Sequence, residues 1–167
     1  MKAHVIHQTL PLPFGQLYGA LKKRIVDHGF LLLHEIDTQA IVAKHGVRIP
    51  PLRQLLFFHP KYIAEIMEND PLAINDIPLK LVLQEIDAQT TQLSFKNPVD
   101  SLQDYGLKPE MAEELLGQVI DIVNILGNSN PLWQNRFLAF VYCIKLNLEY
   151  ENYLEWFWPD RFFLFWP

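Results

Sequence analysis

The sequence predicts an α+β fold, a two-layer sandwich in which helices pack on a mostly antiparallel sheet, followed by a helical, aromatic C-terminal extension. Of its 167 residues, 50% are hydrophobic and 20% are charged, which is typical of a folded domain. The apolar periodicity gives the order strand, helix, strand, short helix, strand, helix, hairpin, helix. Strands grouped around a few helices in this order favour a two-layer α+β fold over a doubly wound parallel sheet.

The first three elements follow from local periodicity and from the residues that interrupt it. Residues 3–9 alternate as in a strand, which Pro11 ends. From Phe14 onward apolar residues recur at helical spacing, and Gly29 suits a left-handed helix end. Residues 30–37 then have the length and flanks of a second strand.

Caps and prolines mark the next elements. We expect Thr38 to cap a short helix through Lys44, with Gly46 as its stop. Residues 52–59 predict a third strand, and Pro60 fits the first turn of the helix that follows, where its missing N–H costs nothing.

A hairpin and a longer helix complete the predicted domain. Residues 78–86 and 90–95 alternate as strands and are separated by a short turn. Residues 95–110 are predicted to be mostly loop, and Pro109 near their end opens a helix with one apolar side that Gly127 terminates.

Three stretches of the sequence resemble a known family. They are PFGQLYGALKKRIVDHGFLLLHEID, FFHPKYIAEIMENDPLAINDIPLKLVLQEID and LSFKNP, and the resemblance covers roughly residues 14–126. Together they are similar to the bacterial and archaeal family called domain of unknown function number 302. The resemblance implies a small α+β domain, commonly a homodimer, with no settled activity and no catalytic residues to transfer. This chain has His59 where the family often has Asn, and Leu79 where it often has Cys.

Charge and cysteine content limit the partners and the compartment. The formal net charge is −5 and no basic stripe is present, which argues against binding to nucleic acid. Cys143 is the single cysteine, so no intramolecular disulfide can form. The sequence shows neither a signal peptide nor an apolar stretch long enough to span a bilayer, and we expect a cytoplasmic protein.

The histidines give the candidate ligand-binding residues His34, Glu35 and His59. Strict alternation in the second strand places His34 on its more apolar face, with Phe30 and Leu32. A sheet could bring His34 close to His59, and the two could flank a small pocket with Glu35. No HxxxH, HxH or CxxC pattern is present, so no metal site is predicted. The favoured alternative is that each imidazole is a hydrogen-bonded residue of the core or rim.

The sequence divides into an α+β domain at residues 1–128 and an aromatic extension at 129–167. The extension begins with a helical pattern and contains the candidate interaction residues Trp133, Phe137, Trp156, Phe157, Trp158, Phe163 and Trp166. The favoured interpretation is that these aromatics cover the extension's own domain, and the next is exchange with a second subunit. Peripheral membrane contact is the least favoured, because the extension's acidic residues are repelled by anionic lipid.

Two function classes remain open. The preferred one is a noncatalytic homodimeric domain that binds a small ligand or another protein, because apolar faces are abundant and no reactive constellation is visible. The alternative is a small-molecule enzyme or a metal-dependent sensor that uses histidines in a pocket between sheet and helices. The sequence identifies neither a catalytic residue nor a cofactor.

Overall fold

The computed structural model describes residues 5–125, which lie within one compact unit. Five strands form one sheet in the order β1-β5-β4-β3-β2, and every neighbouring pair is antiparallel. Their bounds are β1 Val5–Leu10, β2 Leu31–Asp37, β3 Leu52–Phe58, β4 Leu79–Asp87 and β5 Thr90–Lys96. The predicted α+β fold with a mostly antiparallel sheet is confirmed.

Prolines open most of the helices. The helices are α1 Phe14–Asp27, α2 Thr38–Ala43, α3 Pro60–Asn69, α4 Pro98–Leu102 and α5 Pro109–Val123, and a 3₁₀ helix spans Pro71–Asp76. Proline tolerates the first turn because its missing N–H has no intrahelical partner there. The predicted left-handed residue after α1 is confirmed, with φ of +79° at Gly29, and Gly46, the predicted stop after α2, is also left-handed, with φ of +77°.

One face of the sheet carries the core. Alternate residues of β3, β4 and β5 are buried on this side, and α1 and α5 contribute buried apolar residues at helical spacing. The fully buried side chains include Leu17, Leu21, Ile25, Leu55, Phe57, Leu81, Leu83, Leu93, Leu115 and Ile122. The other side, called the outer face below, carries Lys80, Val82 and Gln84 of β4, and none of these three is buried.

A bulge in β2 overturns the predicted position of His34. Leu32 pairs with Phe57 and Glu35 pairs with Leu55, and the register shifts between Leu32 and His34. Leu32 and Glu35 therefore share the helix-covered face, whereas His34 lies opposite Leu56 on the outer face. The prediction that His34 shares a face with Leu32 was wrong, because strict alternation assumes a strand without an extra residue.

Two local predictions also need correction. The cap of α2 is Asp37 instead of Thr38, since Asp37 Oδ1 accepts a hydrogen bond from the Ala40 N–H at 2.8 Å. The predicted loop at 95–110 contains α4, which Asn97 caps through a 3.0 Å hydrogen bond from the Val99 N–H to its Oδ1. In both cases a short polar side chain satisfies a free N–H in the first helical turn.

Candidate functional site

A cleft of about 250 Å³ opens where β4 begins and β5 ends. Its walls come from the 3₁₀ helix, from the Ile77-Pro78 dipeptide and from α4. We call it the Asp76 cleft. Its floor consists of core residues that are all less than 10% exposed, namely Phe57, Leu81, Phe95, Leu102 and Val119. The cleft therefore reaches the apolar layer between sheet and helices.

Polar residues also line the cleft, and these are Asn75, Asp76, Lys80, Lys96 and Ser101. Asp76 Oδ2 accepts a hydrogen bond from the Tyr105 hydroxyl at 2.9 Å, and Asp76 Oδ1 lies 3.6 Å from Lys96 Nζ. The hydrogen bond to Asp76 is the main cause that raises the pKa of Tyr105, followed by desolvation. Asp76 is thus an oriented carboxylate beside an apolar floor.

Hydrogen bonds from Asp70 hold the wall that carries Asp76. Its Oδ1 accepts from the Leu72 N–H at 3.1 Å and caps the 3₁₀ helix. Its Oδ2 accepts from the Gly106 N–H at 2.9 Å and links that helix to the loop before α5. Tyr105, the neighbour of Gly106, reaches Asp76 from the same loop. Asp70 and Asp76 are therefore both hydrogen-bonded to the loop before α5, and these bonds hold this wall of the cleft in place.

Glu35 lies in a different polar cluster, between β2 and α1. Its Oε2 accepts a hydrogen bond from the Tyr18 hydroxyl, and its Oε1 lies 2.8 Å from Lys22 Nζ. The hydrogen bond from Lys22, followed by that from Tyr18, holds the pKa of Glu35 below its usual value. Burial, followed by the bond to Glu35, raises the pKa of Tyr18. Glu35 is thus engaged on both oxygens by neighbouring side chains.

Two cations flank the Tyr18 ring in this cluster. Lys22 Nζ lies 5.3 Å and Arg53 Cζ 5.8 Å from the ring centroid, which is within the range of cation–π attraction. Arg53 Nη1 also lies 2.5 Å from Asp37 Oδ1, although it is buried and makes no hydrogen bond of good geometry. The short distance makes this contact an ion pair, and the charges of the cluster balance one another.

A family model described as "Domain of unknown function DUF302" matches residues 6–126. The chain belongs to the DUF302 family. The crystal structure of an uncharacterized conserved DUF302 protein from Bacillus stearothermophilus has a similar fold, with a TM-score of 0.65 and 15% sequence identity. The match covers 72% of this chain and 95% of the other. No curated protein matches the sequence.

His59 stands where the DUF302 family often has Asn. Its Nδ1 accepts a hydrogen bond from the Lys61 N–H at 3.1 Å and caps α3, which is a role that an Asn side chain also fills. The ring lies edge-on to Phe30 and Tyr62, with centroid distances of 5.4 and 5.7 Å. The His59 ring therefore packs against buried residues of the core at the start of α3.

The structure does not bring the three predicted ligand residues together. His34 lies on the outer face opposite Leu56, Glu35 lies on the helix-covered face, and His59 caps α3. None of the three is among the residues that line the Asp76 cleft. Between residues 5 and 125 no group of three or more His, Cys, Asp or Glu side chains is arranged to hold a metal ion.

The residues of the cleft were missed because their sequence signals were interpreted as structural. Asp70-Pro71 directly follows α3, and Asn97-Pro98 lies in the segment predicted as a loop. Both pairs are capping signals, in which a short polar residue precedes a first-turn proline. As capping signals, these two pairs predict the 3₁₀ helix and α4, which lie on either side of the hairpin in the sequence. Leu79, which stands where the family often has Cys, also lines the cleft.

The predicted interaction residues Trp133, Phe137, Trp156, Phe157, Trp158, Phe163 and Trp166 lie outside the described residues. Within residues 5–125, no helix combines the length and the apolar character needed to cross a membrane.

Proposed function

We propose that this DUF302 protein is a noncatalytic domain that binds a small ligand in the Asp76 cleft. The observation that carries the proposal is the combination of a buried apolar floor with one oriented carboxylate and the neighbouring amine of Lys96. Ligand sites in proteins are typically concave and mostly apolar, with a few polar groups that fix the orientation of the ligand.

The side chains of the cleft support binding more than catalysis. Ser101 carries a hydroxyl group that could act as a nucleophile, but no histidine between residues 5 and 125 lines the cleft. Asp76 already accepts a hydrogen bond from Tyr105 and lies beside Lys96, so both of its oxygens have neighbouring side-chain partners. A nucleophilic hydroxyl needs an adjacent base to be activated.

A blocking variant tests the location of the ligand. Ser101→Phe should fill the cleft, whereas Gln103→Phe, at a neighbouring exposed position outside the cleft, is the matched control. Native mass spectrometry of freshly purified protein reports any retained ligand, and a fragment screen by NMR reports weak binders. We expect the control variant to bind like the wild type and Ser101→Phe to bind at least tenfold more weakly.

Two results would contradict this location. Equal binding by a folded Ser101→Phe variant would place the ligand elsewhere, and circular dichroism of both variants establishes that they are folded. Fragments that bind but shift no resonance of the residues around Asp76 would also contradict this location.

We also propose that the domain forms a homodimer, as the family resemblance implies, through the outer face of the sheet. Large apolar side chains are about half exposed at Val5 and Leu31, and Leu31 pairs with Phe58 on that face. Leu31→Lys should weaken the dimer in light-scattering measurements, because it places a charge in the interface. Leu72→Lys, on the 3₁₀ helix and 69% exposed, is the control. An unchanged mass for Leu31→Lys would contradict this interface.

The alternative is a small-molecule enzyme or a metal-dependent sensor built on histidines. Its support is limited to the residue types, since His34, Glu35 and His59 lie in separate surroundings. Calorimetric titration with zinc, nickel and haem tests the metal version, and heat of binding that disappears in His34→Ala or His59→Ala would favour it.

The cytoplasmic location expected from the sequence stays a prediction.

A further inference from the structure

We propose that the Asp76 cleft binds a small neutral molecule that carries a secondary amide on an apolar body. This inference rests on the proposed function and specifies its ligand class. The amide would pair with backbone groups of β4 and β5 where the two strands separate, and the apolar body would contact the buried floor.

The cleft lies at a gap in the sheet. β4 begins at Leu79 and β5 continues to Lys96, whereas the last pair between the two strands at this end is Val82 with Ser94. Beyond that pair, β4 is paired with β3, and β5 is paired with β1. The residues beyond the end of the ladder all line the cleft, and they are Leu79, Lys80, Leu81, Phe95 and Lys96. The cleft therefore opens between two strands that no longer pair with each other.

The backbone of Lys80 points into this gap. In an antiparallel sheet, successive residues direct their N–H and carbonyl groups alternately toward the two neighbouring strands. Glu85 donates its N–H to the carbonyl of Pro51 at 2.9 Å, and Pro51 directly precedes β3. Glu85 therefore points toward β3, and Lys80, an odd number of residues earlier, points toward β5. The Lys80 side chain projects from the outer face, so its backbone is the part that a ligand in the cleft would meet.

The backbone of Lys96 faces Lys80 from the other side of the gap. By the same alternation, Val82 and Ser94 direct their backbone groups toward each other, and Lys96, two residues after Ser94, points toward β4. Lys80 and Lys96 would form the next pair of this kind, but the ladder between β4 and β5 in the described part of the chain does not include them. Each residue thus presents an N–H donor and a carbonyl acceptor to a ligand.

A trans secondary amide matches two strand ends that face each other. Its carbonyl and its N–H point to opposite sides of one planar unit. The ligand carbonyl can therefore accept a hydrogen bond from one strand while the ligand N–H donates one to the other strand. A hydroxyl group has its donor and its acceptor on a single oxygen atom, and an ester has no donor, so neither spans the gap in this way.

Charge and size favour a small neutral ligand. Asp76 and Lys96 lie 3.6 Å apart, and their opposite charges offset each other. A charged ligand would lose hydration beside the apolar floor without gaining an unpaired counter-ion in the cleft. The cleft volume of about 250 Å³ is below the roughly 300–1,000 Å³ of pockets for drug-sized ligands, so the occupant is small.

Four probes of similar shape test the amide. They are N-methyl-3-phenylpropanamide, methyl 3-phenylpropanoate, 3-phenylpropanoate and 3-phenylpropylamine, titrated into the full chain at neutral pH while ¹H–¹⁵N spectra are recorded. We expect the amide to bind most tightly. The ester has the same shape but no N–H, and it should bind about twofold to tenfold more weakly, which is the effect of one hydrogen bond. Both charged probes should also bind more weakly than the amide.

Two further measurements test whether backbone groups hold the amide. The backbone amide proton of Lys80 or Lys96 should move downfield when the amide binds, because the ligand carbonyl accepts a hydrogen bond from that N–H. Lys80→Gln should leave amide binding unchanged, since this side chain projects from the outer face. Ser101→Phe, which should fill the cleft, should weaken amide binding at least tenfold.

The outcomes separate this inference from the proposed function. Ester binding in the cleft as tight as amide binding, or tighter binding of either charged probe, would overturn the inference and leave ligand binding in the cleft intact. An amide that binds in the cleft without a downfield shift at Lys80 or Lys96, or that binds Lys80→Gln more weakly, would also overturn it. If neither these probes nor the fragment screen shifts any resonance of the cleft, the proposed function itself is wrong.

Discussion

His59 Nδ1 accepts a hydrogen bond from the backbone N–H of Lys61 at 3.1 Å, so an imidazole caps helix α3. The same ring lies edge-on to Phe30 and Tyr62, which are both buried. A single side chain thus joins the start of a helix to the core below it. The residue that differs from the expected asparagine keeps the capping role and adds an aromatic contact.

Replacing His59 separates these two contributions. His59→Ala removes the cap and the ring contacts, and we expect the free energy of unfolding to fall by about 1–2 kcal/mol. His59→Asn restores the cap alone, so its loss should be clearly smaller. Urea denaturation measures both values. If the two variants lose equal stability, the ring contacts and not the cap account for the contribution of His59.

Gly29 lies close to His59, and Gly46 is a matched control for testing that close approach. Both have a left-handed backbone, but a Cβ at Gly29 would lie 3.2 Å from His59 Nε2, whereas one at Gly46 would meet open space. Gly46→Ala should cost about 1–2 kcal/mol of unfolding free energy from backbone strain. Gly29→Ala should cost more. In a double-mutant cycle, His59→Ala should remove the excess, and equal costs in the two single variants would contradict the close approach.

Glu35 should contribute an acid-dependent part of the stability. Its pKa in the folded chain lies below the unfolded value of about 4.3, chiefly because of Lys22 and then Tyr18. The stabilisation is therefore present above that unfolded value and is lost as pH falls through the folded pKa. In Glu35→Gln, unfolding free energy measured between pH 6 and pH 3 should fall less steeply. Glu68→Gln, at an exposed position on α3, is the control, and a slope identical to wild type in Glu35→Gln would contradict the prediction.

Tyr62 should ionise late in an alkaline titration. Burial, followed by the charge and hydrogen bond of Glu114, raises its pKa to about 12. A phenol with a raised folded pKa stabilises the fold fully below the unfolded value of about 10, and that stabilisation is lost as pH rises toward 12. The difference in absorbance at 295 nm between wild type and Tyr62→Phe should show this transition. Glu114→Gln should move it to lower pH, and a transition near 10 in the wild type would refute the assignment.

Removing residues 130–167 tests the proposed role of the aromatic extension. If the extension covers its own domain, the shortened chain should keep its oligomeric state and melt several degrees lower, since buried aromatic area is lost. Light scattering and thermal unfolding measure the two properties together. A dimer that dissociates would support exchange between subunits. A shortened chain with the same oligomeric state and melting temperature as the full chain would contradict both interpretations. Flotation with liposomes would then test membrane contact.

The sequence by itself determined the fold class and most of the elements. Apolar spacing identified α1 and α5 and the strands of the hairpin. The structure confirms the helix starts predicted at Pro60 and Pro109 and the turns predicted at Gly29 and Gly46, whereas α5 ends at Val123, before the predicted stop at Gly127. These signals are local, because a helix period, a first-turn proline or a positive φ depends on a few neighbouring residues. The matching family stretches point to the same fold.

Only the tertiary structure decided which side chains meet. The bulge in β2 placed His34 on the outer face, and the packing of α1 against β2 set the surroundings of Glu35. Asp76 and Tyr105 are 29 positions apart in the chain, and their contact depends on how the 3₁₀ helix and the loop before α5 pack together. Register and packing arise from many distant residues at once, so no local pattern could reveal the cleft.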